Sequence, residues 1–314
     1  MAKTTKKVDI VKTIFIVVIC AVLILYSLSL VFVLGWGGLT SLKSETDFDT
    51  YGNLMGLPSL EWSSAEFLEL KNYTMMFESL EITKSVDYFV GDIPVGYETT
   101  SNIFDMLINT IVYAVIGALL QTVVPAVMAY MCAKYRCKVS SFLNALVVVT
   151  MTIPLVGNYP SMITVLRGLN LYDSYLGIII MKFHYGGMYF LVFYAYFKGL
   201  PDTYAEAAEI DGASQFRVLV TIIMPLAIKI MSTVFMILFV QLWNDYRTAL
   251  IYMPTHPTLA YAVYHVAIYT NKGAFATIPA KTASCITLAV PILILFICFK
   301  DKIMGNVTLG GIKG

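Results

Sequence analysis

Apolar residues in this chain come in long, nearly unbroken runs separated by short polar segments, and the runs predict the architecture. About 20 apolar residues are what a helix needs to cross a bilayer. Six stretches have that character: residues 14–36, 107–131, 141–160, 176–197, 225–243 and 282–299. Two of them are interrupted. Pro154, Gly157, Asn158 and Pro160 break the third, and Lys182 and His184 fall inside the fourth. The first run follows Lys3, Lys6, Lys7 and Lys12, is too long for a signal-peptide core, and precedes no small-x-small cleavage site. It reads as a membrane helix kept in the mature protein. The pattern predicts an all-α integral membrane protein of about six transmembrane helices.

Orientation follows from lysine and arginine near the ends of the spans, which are retained on the cytoplasmic side. The first tail is basic, the loop after the second run holds Lys134, Arg136 and Lys138, and the last tail holds Lys300, Lys302 and Lys313. With six spans these regions share one side with residues 200–227, which makes that side the cytoplasm and puts both termini inside. The opposite side carries residues 37–102, where Asp and Glu outnumber the three lysines Lys43, Lys71 and Lys84. Three parts are expected: a tail and first helix (1–36), an acidic extracytoplasmic segment with enough apolar residues to form a small cap (37–102), and a membrane core (103–314).

Residues 200–227, LPDTYAEAAEIDGASQFRVLVTIIMPLA, are neither span-like nor an ordinary polar loop. Pro201 sits where a helix begins and a missing N–H costs nothing. Asp202, Glu206 and Glu209 put negative charge in the early turns, which the helix dipole favours. Ala205, Ala207 and Ala208 form helix readily and let another surface approach. Gly212 lets the chain turn out of the helix in a conformation other residues resist. A second short helix over 215–223 then leads to Pro225, the expected start of the fifth span. The segment reads as a bent element with a stiff exit into the membrane, in a position to be pushed.

Composition sharpens the class. The chain is 58% hydrophobic and 13% charged, with a mean hydropathy of +0.76, far from a soluble domain. A formal net charge of +1 gives no basic field for nucleic acid. The five cysteines, Cys20, Cys132, Cys137, Cys285 and Cys298, have neither disulfide-framework nor zinc spacing. His184, His256 and His265 have no carboxylate at metal-ligand spacing, and no phosphate-binding G-x-x-x-x-G-K-[ST] is present. None of the six runs contains Asp or Glu, whereas ion-coupled carriers place carboxylates at membrane depth. A hydrolase or metal enzyme is disfavoured. If the protein moves a solute uphill, energy enters from another subunit, and the bent element is the port.

The series Glu206-Ala207-Ala208-x-x-Asp211-Gly212-Ala213, followed by Pro225, resembles the EAA loop of ABC importer permeases. Tyr172-Asp173-Ser174-Tyr175-Leu176-Gly177 extends the match upstream, and Trp243-Asn244-Asp245-Tyr246 and Pro257-Thr258-Leu259 extend it downstream. The tail Gly310-Gly311-Ile312-Lys313-Gly314 resembles that of the smaller permease of maltose-type carbohydrate importers. The resemblance covers residues 102–314. It departs in three places: Met224 stands for a leucine, Lys229 lies where a second proline is common, and segment 37–102 is longer.

The resemblance implies a type I ABC importer permease fold, N-in and C-in, with a cytoplasmic coupling helix, in the bacterial cell membrane. It implies as partners a second homologous permease, two ATPase subunits that bind ATP and magnesium, and an extracytoplasmic solute-binding protein, with no catalysis and no cofactor in this chain. Glu206, Ala207, Ala208, Asp211, Gly212 and Pro225 would form the ATPase-coupling set, with Val218 and Ile222 packed beneath the membrane helices. Gly310, Gly311, Lys313 and Gly314 would reach between the ATPases, the alternative being a frayed terminus.

For the substrate pathway the polar candidates are Asn109, Gln121, Lys182, His184 and Gln241, with Asn144 and Asn158 also within the runs. Two roles are open to Lys182 and His184: lining the pathway, or reaching an interface or internal partner. Tyr185, Tyr189, Tyr194 and Tyr196 suit either stacking on sugar rings or the membrane boundary. The tip at 271–277 is either a contact for a binding protein or a plain turn. Three cargo readings stand: a carbohydrate, most simply an oligosaccharide; glycerol phosphate or another organic solute, with Lys182 and Arg167 as anion partners; or transport by a channel or carrier without an ATPase.

Overall fold

A computed structural model describes residues 10–58, 68–90, 93–135, 137–153, 157–270 and 275–307 of the chain. Gly310, Gly311, Lys313 and Gly314, Pro154, and most of the 271–277 tip lie outside the described residues. The chain divides into two compact units, Met1–Glu78 with Val266–Thr287, and Ser79–His265 with Leu288–Gly314.

The first unit begins with α1 (Ile10–Thr40), whose 31 residues make a rod of about 46 Å at 1.5 Å per residue. It leads into a small knob ending in α2 (Lys71–Ser79). Asn72 closes the knob, its amide donating to the carbonyls of Ser41 (3.0 Å) and Lys43 (2.9 Å). The hydroxyls of Ser41 and Tyr73 meet at 2.6 Å. The Ser284 hydroxyl contacts the Met76 sulfur at 2.8 Å, both groups being buried.

The second unit opens with an antiparallel hairpin, β1 (Glu81–Val90) and β2 (Ile93–Asn102), in register from Glu81↔Asn102 to Val90↔Ile93. Apolar patterning for spans does not reveal it, because its strands alternate Ile82 and Val86 with Thr, Lys and Ser. Asn102 ends the hairpin and caps the next helix at once. Its Oδ1 accepts from the backbone N–H groups of Phe104 (2.9 Å) and Asp105 (3.0 Å), and Asp105 Oδ2 accepts from the Asn102 N–H (3.1 Å).

That helix, α3 (Ile103–Lys134), is the axis of the unit. The chain continues through α4 (Lys138–Thr152), α5 (Asn158–Gly168), α6 (Tyr175–Lys182), α7 (Met188–Gly199), α8 (Thr203–Ile210), α9 (Gln215–Val218), α10 (Met224–Trp243), α11 (Tyr246–Tyr252), α12 (Leu259–Tyr269) and α13 (Ile278–Val307). Helices α7 and α10 pack along α3. Small residues allow the approach: Ala114, Ala118, Ala126 and Ala129 on α3 are fully buried, as are Phe190, Phe193 and Phe197 on α7. In a membrane such close van der Waals contact, rather than transfer from water, drives helices together. At Gly117 an added Cβ would lie 2.8 Å from Leu242 Cδ1, so α3 and α10 nearly touch there.

Among the described residues four helical segments are long and apolar enough to span a membrane: Lys12–Thr40, Ile103–Lys134, Gln215–Trp243 and Ile278–Cys298. They contain the first, second and fifth expected runs and all but the last residue of the sixth. The third and fourth runs are each divided into two shorter helices, α4 with α5 and α6 with α7. The breaks coincide with Gly157 (φ 76°) and Gly187 (φ 103°), left-handed positions that a β-carbon disfavours. Pro225 stands in the first turn of α10, as expected. The preceding α9 runs into α10 through a widened π-type turn at Leu219–Ile223. A proline removes one backbone donor and crowds the carbonyl four residues earlier, and a wider turn just before it relieves both.

Candidate functional site

The 200–227 element is a helical V at one end of the α3 bundle. Helix α8 closes with a glycine turn: the Ala213 N–H donates to the Ala208 carbonyl and the Gly212 N–H to Glu209, each at 2.9 Å, with Gly212 at φ 81°. This is the Schellman arrangement, which satisfies carbonyls the helix end would otherwise orphan. Ser214 then caps α9, its hydroxyl accepting from the Arg217 N–H at 3.4 Å.

Four contacts bind the V together and to the end of α3. Lys134 Nζ meets Asp202 Oδ1 at 2.6 Å and also donates to the Leu200 carbonyl. The Tyr135 hydroxyl bonds the Gln215 side-chain oxygen, and the Gln215 amide donates to Glu209. Val218 and Ile223 are buried beneath the V, and Ile222 is half-buried.

The outer face is open. Glu206, Ala207, Asp211, Gly212 and Pro225 are exposed, whereas Ala208 packs inward. Two large apolar side chains flank the bend, Ile210 (87% exposed) and Phe216 (74%). Sequence reasoning missed this pair. Its signal is apolar residues two before and four after the glycine, away from the inward-facing Ala208 and Val218. An apolar pair set among carboxylates is the make-up of a protein-docking surface, with a hydrophobic centre and a charged rim.

A second set of polar residues lies within the bundle. Asp245 Oδ2 accepts from the hydroxyls of Tyr113 (2.6 Å) and Thr248 (2.5 Å), and Lys182 Nζ stands 3.9 Å from it. The same ammonium lies 5.4 Å from the Tyr113 ring. Asn109 is buried: its amide donates to the Pro257 carbonyl at 3.0 Å, and its oxygen accepts from Tyr175. Of the other pathway candidates, Gln121 is half-buried on α3, and His184 and Gln241 are exposed.

Nearby, Asp173 clasps the 252–256 segment. Its carboxylate accepts from the Thr255 N–H (3.1 Å) and hydroxyl (2.8 Å), with His256 Nδ1 at 3.5 Å. Asp173 and Asn170 hold φ near 58° and 56°, which Asp and Asn tolerate better than most residues. Burial pushes the Asp173 carboxyl up, but hydrogen bonds from His256 and Thr255 outweigh it and hold the group below the usual carboxylate range. Ser174 caps α6, accepting from the Gly177 N–H (3.1 Å) and donating to the Leu171 carbonyl (2.7 Å).

A groove of about 870 Å³ runs between α3, α10 and the part of α13 beyond Leu288. Ile111, Leu119, Met231, Phe235, Pro291 and Leu295 line it.

Among the described residues, four helices long and apolar enough to span a membrane, further apolar helices broken by glycine, and one exposed helical V at a bundle end mark a multi-pass membrane protein. The chain belongs to the family described as binding-protein-dependent transport system inner membrane component, whose model matches residues 121–303. It is similar to the sulfoquinovosyl glycerol transport system permease protein SmoH of Agrobacterium fabrum, 25% identical over 66% of this chain and 73% of that protein. It is likewise similar to the trehalose transport system permease protein SugB of Mycobacterium tuberculosis, 25% identical over 66% of this chain and 76% of that protein. One chain of the crystal structure of a bacterial ABC transporter involved in import of the acidic polysaccharide alginate superposes with a TM-score of 0.71. That superposition covers 95% of this chain and 99% of the other at 19% identity, and shows a shared fold. The fold is that of a type I ABC importer permease.

Proposed function

We propose that this permease imports a carbohydrate, most simply an oligosaccharide, driven by a separate ATPase that docks on α8. The observation that carries this reading is mechanical. The V presents Ile210, Phe216 and the Glu206–Asp211 carboxylates outward, and residues 215–243 run as one helical rod from the V into the membrane. A push on the V is delivered along that rod to the bundle. ATP-driven closure of two ATPases on two such elements would rock the permeases between inward- and outward-facing states as rigid bodies.

In this assignment Glu206 anchors a basic residue of the ATPase, Ala207 permits close approach, and Gly212 fixes the angle of the V. The partners are a second homologous permease, for which the α3–α10–α13 groove is a fitting surface, two ATPase subunits holding ATP and magnesium, and a binding protein outside. The setting is a bacterial cytoplasmic membrane with α8 on the inner side. The tail around Gly310 and Lys313 is proposed to contact the ATPases on the strength of the sequence resemblance.

The sugar-containing cargo named for SmoH and SugB supports a carbohydrate. A non-sugar anion such as glycerol phosphate has less support, because Lys182 faces Asp245 and Arg167 lies over the Tyr172 ring at 4.8 Å. A carrier independent of ATPase is the remaining alternative. The test is purification of the tagged chain from its native membrane with the co-purifying chains identified, alongside sugar uptake by Glu206→Lys cells. Recovery of a second permease, an ATPase and a sugar-binding protein, with uptake lost in the variant, is expected. Recovery of the chain alone with uptake intact overturns the reading.

A further inference from the structure

In the knob of the first unit, residues 50–58 read TYGNLMGLP and contain no charge. The packing there is inverted relative to a water-facing loop. The polar groups turn inward around Asn53, whose amide donates to both Asp47 oxygens (3.0 and 3.2 Å) and to the Leu57 carbonyl (2.9 Å). The Asn53 carbonyl in turn accepts from Lys43, a side chain that is 1% exposed. The apolar side chains turn outward: Tyr51 is 73% exposed, Met55 72%, Leu57 65% and Leu54 52%. Internal hydrogen bonds hold the loop in this form, so the exposure is part of its structure.

One bond ties the loop to the end of the apolar run of α1. The indole N–H of Trp36 donates to the Leu54 carbonyl at 2.8 Å. Trp36 closes the apolar run 14–36 of α1, whose side chains are exposed on every face. That run measures about 34 Å at 1.5 Å per residue, close to the ~30 Å hydrocarbon thickness of a bilayer. A tryptophan at the end of such a run sits at the headgroup level, where its N–H finds a polar partner. Here the partner is the loop itself, which therefore lies level with the membrane surface and continues the lipid-facing surface of α1.

We propose that residues 51–57 form an interfacial anchor, with Tyr51, Leu54, Met55 and Leu57 inserted among the acyl chains and headgroups of the leaflet at the Trp36 end of α1. The occupant of this patch is lipid, recognised by apolar area without charge pairing, in the manner of a monotopic segment. The anchor holds the knob down on the bilayer.

The test places a cysteine at Met55 or Leu57 in the full-length chain with its native cysteines replaced by serine. The complex is labelled with bimane and reconstituted into vesicles of phosphatidylethanolamine and phosphatidylglycerol. Leu25→Cys on α1 serves as the lipid reference and Lys71→Cys as the water reference. Both loop labels are expected to be quenched by headgroup-level nitroxide lipids and protected from iodide at least several-fold relative to Lys71→Cys. Iodide quenching equal to that of Lys71→Cys overturns the proposal. Protection from both quenchers also overturns it, since it means a protein covers the patch. Two outward-facing sites that leave Asn53 untouched keep the result independent of any one variant's folding.

Discussion

Replacing Lys182 by methionine removes one charge from the Lys182–Asp245 pair and leaves its packing nearly unchanged. At 3.9 Å two unit charges attract by about 4 kcal/mol at an effective dielectric near 20. The side chains are only 16% and 24% exposed, so solvent screens them little, and stripping one partner from a buried pair costs about 3–5 kcal/mol. Asp245 is not abandoned, however. Tyr113 and Thr248 continue to donate to it, which brings the expected cost of Lys182→Met down to about 2 kcal/mol. Asp245→Asn is expected to cost more, about 3 kcal/mol, because one acceptor oxygen becomes a donor facing other donors. The double variant has no unpaired charge, so it should recover about 2 kcal/mol relative to the sum of the singles. Thermal unfolding of the purified complex in lipid nanodiscs reads this directly. Scaling unfolding entropy with chain length gives a shift of about 1.5 °C per kcal/mol, so Lys182→Met lowers the midpoint by about 3 °C. Additive single and double variants, coupled by less than about 0.5 kcal/mol, would show that the two groups do not interact and refute the reasoning.

Gly177→Ala places a β-carbon 2.2 Å from the Leu171 carbonyl oxygen, a backbone atom that cannot swing away. It is expected to destabilise by about 3 kcal/mol or more and to lower the yield of folded protein by size-exclusion analysis. Gly212→Ala meets no neighbour but keeps φ at 81°, so it should cost about 1–2 kcal/mol locally; protease nicking at 211–214 should rise while the unfolding midpoint barely moves. The Asp173 clasp has a definite pH sign. Its carboxyl is held below the ordinary value, so its stabilisation is complete above that value, about 3.9, and is lost as pH falls through the depressed one. Asp173→Asn should therefore lower the midpoint at pH 7 and converge with the parent chain at the acid end. Parallel curves at all pH values would contradict the assignment.

Segment 200–227 was legible because its signals are local. A proline, early carboxylates, alanines and one glycine specify a capped helix and its exit without reference to the rest of the chain. The four uninterrupted spans were legible for the same reason. The internal polar cluster was not. Asp245 lies two residues past the end of the run 225–243, and its partners Lys182 and Tyr113 lie far away in sequence, so no periodicity links them. Lys182 could be read only as an isolated intramembrane cation with several possible roles. Asn109, a pathway candidate by composition, turned out to bond the Pro257 carbonyl. The hairpin β1–β2 was hidden because its strands alternate apolar with polar residues and so form no span-like run. Ile210 and Phe216 escaped notice because exposure is a property of the folded V, not of residue type.

The central claim is that α8 and its bend meet a separate ATPase. A photo-crosslinking amino acid at Ile210, the most exposed apolar side chain of the V, tests it in intact membranes. The account predicts a crosslinked product containing the nucleotide-binding subunit, lost when Glu206→Lys is added. Crosslinks to lipid or to this chain alone, unchanged by Glu206→Lys, would contradict it.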